Sequence, residues 1–152
     1  MNTVKHYFIL TLLLCGILFP TVAEANLPIT SYFGYREHPT RGDWRFHAGV
    51  DLGYAYGTPI PAMFDGIVVQ AGNFDDGYGN QVLLYHPALD AYTRYAHMAS
   101  ISVPVDTEVW QGTILGYVGS TGVATGPHLH LEYIVSDGQG GYQYEDPLVL
   151  WQ

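Results

Sequence analysis

Glycine and proline recur so closely along this chain that no long helix fits between them. The sequence of 152 residues holds 18 Gly and 9 Pro, and Gly49, Gly53, Gly57, Pro59 and Pro61 alone would interrupt a helix within two turns. Between the interruptions lie short apolar or alternating runs, such as Gly66–Ala71, Asn80–His86, Ala91–His97 and Thr113–Val118. Runs of this length bounded by turn residues read as strands. The expected class is therefore all-β and antiparallel, with little or no helix. The sequence predicts one hairpin from Pro59–Ala62 and Gly66–Ala71 around Asp65-Gly66, and a second from Asn80–His86 and Ala91–His97. Residues Gly34–Pro39 and Thr40–Arg45 read as loops, the stretch after Met98 as a Val-rich connection, and Pro147–Trp151 as a terminal extended piece.

The N-terminal stretch has a different character. Lys5 and His6 precede an almost unbroken apolar run, Tyr7–Phe19, and Ala23-Glu24-Ala25 offers a small-x-small cleavage pattern. Residues 1–25 are expected to be a signal peptide and 26–152 a single domain, exported to the periplasm or the extracellular space. The run is shorter than the roughly 20 residues that span a bilayer, so no stable membrane anchor is expected. Cys15 is the single cysteine and would leave with the signal, so the mature chain would have no thiol and no disulfide. The formal net charge is -9 from 5 Lys plus Arg and 14 Asp plus Glu, which argues against nucleic acid or an anionic membrane surface as partner. A monomer is expected.

Chemistry concentrates in the histidines. His128 and His130 are one residue apart in Gly126-Pro127-His128-Leu129-His130-Leu131-Glu132, and a strand there would put both imidazoles on one face and the leucines on the other. His47 and Asp51 are four apart, and His97 closes an apolar run. Two His and one carboxylate would make a three-ligand metal set with two His left over. Three protein ligands and an open position mark a catalytic zinc, whereas a structural site closes all four positions, usually with cysteines. His38 and His86 each precede proline and read as structural. Glu132 continues the histidine face, either orienting an imidazole or as an unrelated surface carboxylate. Arg36 suits a substrate carboxylate or a plain loop salt bridge. Tyr32, Tyr35, Tyr54 and Tyr78 could line a groove or serve simply as strand residues.

Taken together and in order, His47-x-x-x-Asp51, Arg94-Tyr95-Ala96-His97-Met98 and Gly126-Pro127-His128-x-His130 resemble the lysostaphin/LytM-type zinc metallopeptidases. Phe33-Gly34-x-Arg36-x-His38-Pro39, Tyr78-Gly79-Asn80 and Gly119-Ser120-Thr121-Gly122 extend the resemblance over nearly the whole expected mature chain. It implies an antiparallel groove fold and an endopeptidase acting on peptidoglycan peptides. It implies one Zn²⁺ held by His47, Asp51 and His130, with His97 and His128 as catalytic groups at the open coordination site. Arg36 is the expected substrate-binding residue. Of the possible bonds, the D-alanyl cross-link is favoured over a glycine bridge. The alternative is a non-catalytic relative that activates another cell-wall hydrolase, but such relatives lack zinc ligands and this chain keeps all five positions.

Overall fold

A computed structural model of the chain describes residues 27–37 and 42–152; the expected signal peptide, Asn26, His38 and residues 39–41 lie outside them. Twelve strands follow one another: β1 (Ile29–Ser31), β2 (Gly34–Glu37), β3 (Trp44–His47), β4 (Val50–Leu52), β5 (Pro59–Pro61), β6 (Gly66–Asn73), β7 (Asn80–His86), β8 (Ala91–Ile101), β9 (Glu108–Val109), β10 (Ile114–Val118), β11 (Leu129–Ser136) and β12 (Tyr142–Glu145). Ten of them form one antiparallel sheet with the path β1-β4-β11-β8-β7-β6-β9, onto which β5, β10 and β12 pair. The remaining two, β2 and β3, make a separate two-stranded ribbon. The all-β expectation is met, and among the described residues no helix is long and apolar enough to cross a membrane.

Period-two alternation sorts the central strands into two faces. Val50 and Leu52 on β4 stand opposite Leu131 and Leu129 on β11, and all four are buried in the core with Val68, Val82, Leu84, Met98 and Leu115. The residues between them, Asp51 and His130, are paired directly and face the other way. A one-residue slip of β11 would put leucines where the polar pair now stands, so core packing fixes the register of the site. Tyr95 anchors the centre of β8: its ring is fully buried, and its hydroxyl accepts the Met63 N–H at 3.0 Å and meets Thr93 Oγ1 at 3.1 Å. His86 is structural as expected, buried between the Asp65 carbonyl and Thr93 Oγ1, both at 2.8 Å.

Several sequence expectations need correction. The Asn80–His86/Ala91–His97 hairpin forms as β7–β8, but Pro59–Pro61 does not pair with Gly66–Ala71; β5 pairs β10, and β6 pairs β7 and β9. Proline lacks an N–H, and with Pro59 and Pro61 two apart, one edge of β5 has no donors to offer a partner. Gly34–Glu37 and Trp44–Arg45 are strand rather than loop, because each supplies the other's ladder. β8 continues past Met98 to Ile101 because β10 pairs with it. Pro147–Trp151 is a 3-10 turn: Asp146 caps it by accepting from Leu148 N at 3.0 Å, with Pro147 in the first turn. Strand β12, which pairs β11, is unforeseen, although Tyr142-Gln143-Tyr144-Glu145 alternates aromatic and polar residues over one short stretch.

Because the Tyr95 hydroxyl is a buried partner of the Met63 N–H, Tyr95→Phe should cost about 1–3 kcal/mol, read as a lowered urea midpoint with the m-value unchanged. An unchanged midpoint would show that the hydroxyl carries no net stability.

Candidate metal centre

The four histidines and one aspartate singled out in the sequence arrive from four strands and their ends. Asp51 and His130 are the cross-strand pair of β4 and β11, and His47 ends β3, where the ribbon meets the main sheet. His128 lies just before β11, bridged to Gly119. His97 has a less obvious origin. Between the pairs Val82↔Tyr95 and Asn80↔Met98, β8 has one more residue than β7. His97 is at this bulge with φ +58°, a left-handed conformation uncommon for a residue with a Cβ. The bulge brings its ring to 4.7 Å from that of His128 and 5.8 Å from that of His130, centroid to centroid.

Three atoms converge. His47 Nε2 lies 3.1 Å from Asp51 Oδ1 and 3.0 Å from His130 Nδ1, and His130 Nδ1 lies 2.9 Å from Asp51 Oδ1. The outer hydrogen bonds assign the tautomers. His47 Nδ1 donates to the Tyr32 carbonyl at 2.8 Å, and His130 Nε2 donates to Glu132 Oε1 at 3.1 Å. In the neutral imidazoles the inner nitrogens then carry lone pairs, and three electron-rich atoms crowd one point. Such an arrangement calls for a cation. Four ligands at about 2.0–2.1 Å from a tetrahedral metal are about 3.3 Å apart, so these donors need move only a few tenths of an ångström. His47, Asp51 and His130 could thus hold a metal ion. Burial alone would raise the Asp51 carboxyl, but hydrogen bonds from His130 and His47 outweigh it and hold the group far below its usual range. Without a cation His130 gains a proton more readily: burial opposes this, but Asp51 and Glu132 overcome it.

The second layer explains why these side chains stay put. Glu132 is fully buried, accepts from the Tyr78 hydroxyl at 2.5 Å as well as from His130, and faces Arg94 across β11–β8, with Arg94 Nε 3.0 Å from Oε2. Arg94 also lies 4.5 Å over the Tyr78 ring and donates to Gln81. Of the two readings open for Glu132, the imidazole acceptor is the one that forms. His97 Nδ1 donates to the Thr121 carbonyl at 2.8 Å, and His128 Nδ1 to the Gly126 carbonyl at 2.9 Å. Their Nε2 atoms make no hydrogen bond among the described residues, that of His128 lying 3.7 Å from Asp51 Oδ1. Burial, with the charges of His128 and His130, pushes the His97 imidazole down to about 4 against the pull of the Thr121 carbonyl. His97 is therefore neutral near pH 7. The orienting carbonyls of Tyr32, Thr121 and Gly126 carry no residue-type signal, which is why sequence reasoning missed them.

The five groups form the floor of an open cleft of about 870 Å³. Its walls are the β2–β3 ribbon, with Arg36 and Arg45, and two loops, 76–78 and 122–127. The loops lock together through Val123 N to Gly77 O at 2.8 Å, and a Cβ on Gly122 would meet Gly77 O at 2.4 Å. Of the tyrosines, Tyr78 lines this cleft, whereas Tyr54 lines a smaller apolar hollow elsewhere.

The model of peptidase family M23 matches residues 45–142. The chain belongs to peptidase family M23. It is 45% identical over 104 residues to the DD-carboxypeptidase/endopeptidase Mpg of Neisseria meningitidis serogroup B, covering 68% of this chain and 24% of that protein. The chain thus spans about a quarter of that curated relative's length. It superposes on the catalytic domain of the antimicrobial peptidase lysostaphin from Staphylococcus simulans with TM-score 0.72 at 31% identity, covering 84% of this chain and 94% of that one. A zinc-containing peptidase from Vibrio cholerae matches with TM-score 0.63 at 35% identity, over 69% of this chain and 32% of that one. The antiparallel sheet of this M23 chain is similar to that of the lysostaphin catalytic domain.

Two predictions arise here. A Cβ on Gly49 would lie 2.3 Å from Leu131 O and 3.0 Å from His130 Cε1, so Gly49→Ala should force β11 and its histidine away from Asp51. Metal affinity should fall about 10–100-fold in a competition titration; unaltered affinity would mean that the strands need not approach so closely. The second concerns pH. The folded His97 lies near 4 and the unfolded one near 6.5, so from 6.5 down toward 4 the unfolded chain takes up a proton that the folded chain refuses. Its stabilising contribution is complete above about 6.5 and is lost as pH falls through that window. Metal-free protein should lose about 1–2 kcal/mol more between pH 7 and pH 5 than His97→Asn, whose side chain tolerates the left-handed backbone. Urea midpoints at the two pH values measure this, and equal losses would refute it.

Proposed function

We propose that the chain is an exported zinc endopeptidase that hydrolyses peptide bonds in peptidoglycan, with His47, Asp51 and His130 holding one Zn²⁺. The observation that carries this reading is the convergence of two imidazole nitrogens and a carboxylate oxygen on one point in an open cleft. The two-histidine, one-carboxylate donor set without a thiolate is that of catalytic rather than structural zinc. When bound, the ion lowers the pKa of a water molecule to about 7 and polarises the substrate carbonyl.

The protein's own groups supply the rest. His97 and His128 each have Nδ1 tied to a backbone carbonyl and Nε2 free beside the triad. A neutral His97 at pH 7 is ready to accept a proton at Nε2 from the attacking water. Once protonated, either imidazole can donate to the oxyanion or return the proton to the departing amine. The Thr121 and Gly126 carbonyls keep both rings from turning. The presence of all five groups supports a hydrolase over a non-catalytic activator.

The name of the Neisseria relative, a DD-carboxypeptidase/endopeptidase, supports a bond between D-residues, the D-alanyl cross-link, as the target. Residues 1–25 act in this reading as the export signal, delivering a monomeric domain to the periplasm or beyond without a lasting membrane anchor.

Incubating the purified mature protein with muropeptides joined by D-alanyl cross-links or by glycine bridges should yield zinc-dependent cleavage of the former, identified by mass and stopped by chelator. Full zinc occupancy without cleavage of either would overturn the enzyme reading. His130→Ala should abolish stoichiometric zinc binding. His97→Asn should keep the metal while losing about 10²–10⁴-fold in kcat; equal zinc loss in both variants would contradict the division of roles.

A further inference from the structure

The ribbon of β2 and β3 carries an unusual pairing. Arg36 and Arg45 stand directly opposite each other across the ladder, and like charges so placed destabilise a strand pair. Both line the cleft on the side of His47. They are two of the three arginines among the described residues, the third being Arg94 against buried Glu132. A chain of net charge -9 with five Lys plus Arg thus places two of its cationic side chains face to face on one wall of the cleft.

Neither guanidinium is fully used. The partner of Arg36 among the described residues is Asp51 Oδ2 at 3.8 Å, beyond hydrogen-bond reach, and its side chain is 34% exposed. Arg45 gives its Nε to Asp43 at 2.9 Å and is 49% exposed, which leaves its terminal nitrogens without a partner there. The ribbon is held by aromatic packing around Phe46, which also borders the cleft: it meets Phe33 at 5.1 Å, Tyr35 at 5.3 Å and Tyr144 at 6.5 Å, centroid to centroid. The wall is thereby fixed without consuming the arginines. Paired guanidinium forks with unspent donors suit a carboxylate, which they can engage through charge-assisted, bidentate hydrogen bonds.

We infer that Arg36 and Arg45 form a carboxylate-binding subsite, which makes the preferred substrate an anionic peptide bearing a free carboxylate near the scissile bond. This rests on the hydrolase reading above and deepens it. The position follows from the backbone. Arg36 lies 3.8 Å from a triad side chain, and each residue of extended peptide spans about 3.3–3.6 Å. The carboxylate therefore belongs one or two residues from the peptide carbonyl seated at the triad. It can be the terminal carboxylate of the peptide or one branching within it; a neutral glycine bridge offers neither at that distance.

The test uses cross-linked stem peptides in three forms: with free carboxylates, with the C-terminus as carboxamide, and with the internal carboxylate amidated. Pentaglycine serves as the neutral control. The zinc-loaded enzyme should favour the free acid over one amidated form by about tenfold or more in kcat/KM, and the form that suffers identifies which carboxylate is bound. Arg36→Gln and Arg45→Gln should each bring that ratio toward unity, and the lysine variants should keep part of it. Fluorescence anisotropy of the same peptides with metal-free protein should show the same preference, weakened by salt. Equal cleavage of acid and amide forms would overturn the subsite and leave the hydrolase standing. Binding preference without any cleavage would keep the subsite and remove the hydrolase. Zinc loss in Arg36→Gln, with full acid preference surviving in Arg45→Gln, would assign Arg36 to Asp51 and overturn the pair.

Discussion

Two imidazole nitrogens and a carboxylate oxygen within 3.1 Å of one another repel unless a cation or a shared proton lies between them. Such a cluster persists only where the surrounding structure enforces it. Here the enforcement comes from the core: Val50 and Leu52 on β4 and Leu129 and Leu131 on β11 are buried on the opposite face, and their packing sets the register that makes Asp51 and His130 direct neighbours. The apolar face of two strands therefore determines the geometry of their polar face. His47 comes from outside this sheet, at the end of a two-stranded ribbon. The Tyr32 carbonyl on its outer nitrogen ties it to the same centre.

A second constraint bears on orientation rather than position. Each of the four imidazoles has one nitrogen bound to an acceptor away from the centre: a backbone carbonyl for His47, His97 and His128, and Glu132 for His130. A donor–acceptor pair of this kind selects the tautomer, so the nitrogen that faces the cleft is the one with the lone pair. The exception to an all-carbonyl scheme has its own support. A fully buried carboxylate is costly unless compensated, and Glu132 is compensated three ways, by His130, the Tyr78 hydroxyl and Arg94. Arg94 in turn is held by Gln81 and the face of Tyr78.

What the sequence revealed and what it hid follow from this arrangement. The all-β class was legible because glycine and proline leave no room for helix, and the β7–β8 hairpin because its two runs are long and apolar. His47, Asp51, His97, His128 and His130 were legible because side-chain chemistry is written in residue type. The Pro59–Ala62 partner was misread because the Asp65-Gly66 turn signal is local, while the choice of β10 over β6 depends on which edge of a two-proline strand retains donors. The bulge at His97 left no mark in its own neighbourhood: Arg94-Tyr95-Ala96-His97-Met98 reads as ordinary strand, and the extra residue appears only when β8 is matched against β7. The carbonyls that fix the rings are invisible for the same reason. Asp146-Pro147 did carry a readable cap-and-proline signal for the terminal 3-10 turn.

In a protein this acidic, a carboxylate-bearing ligand would be repelled from most of the surface, and long-range steering would work against it. Recognition must then be local. The β2–β3 ribbon meets that need by setting two guanidinium groups opposite each other at the cleft wall, at the expense of a repulsive cross-strand pair. A structural role does not require that pairing, since the aromatic contacts of Phe46 already hold the ribbon. The metal floor and the cationic wall thus perform separable tasks. On the proposed reading the floor acts on a peptide bond whatever its neighbours, and the wall selects peptides that bring an anion with them.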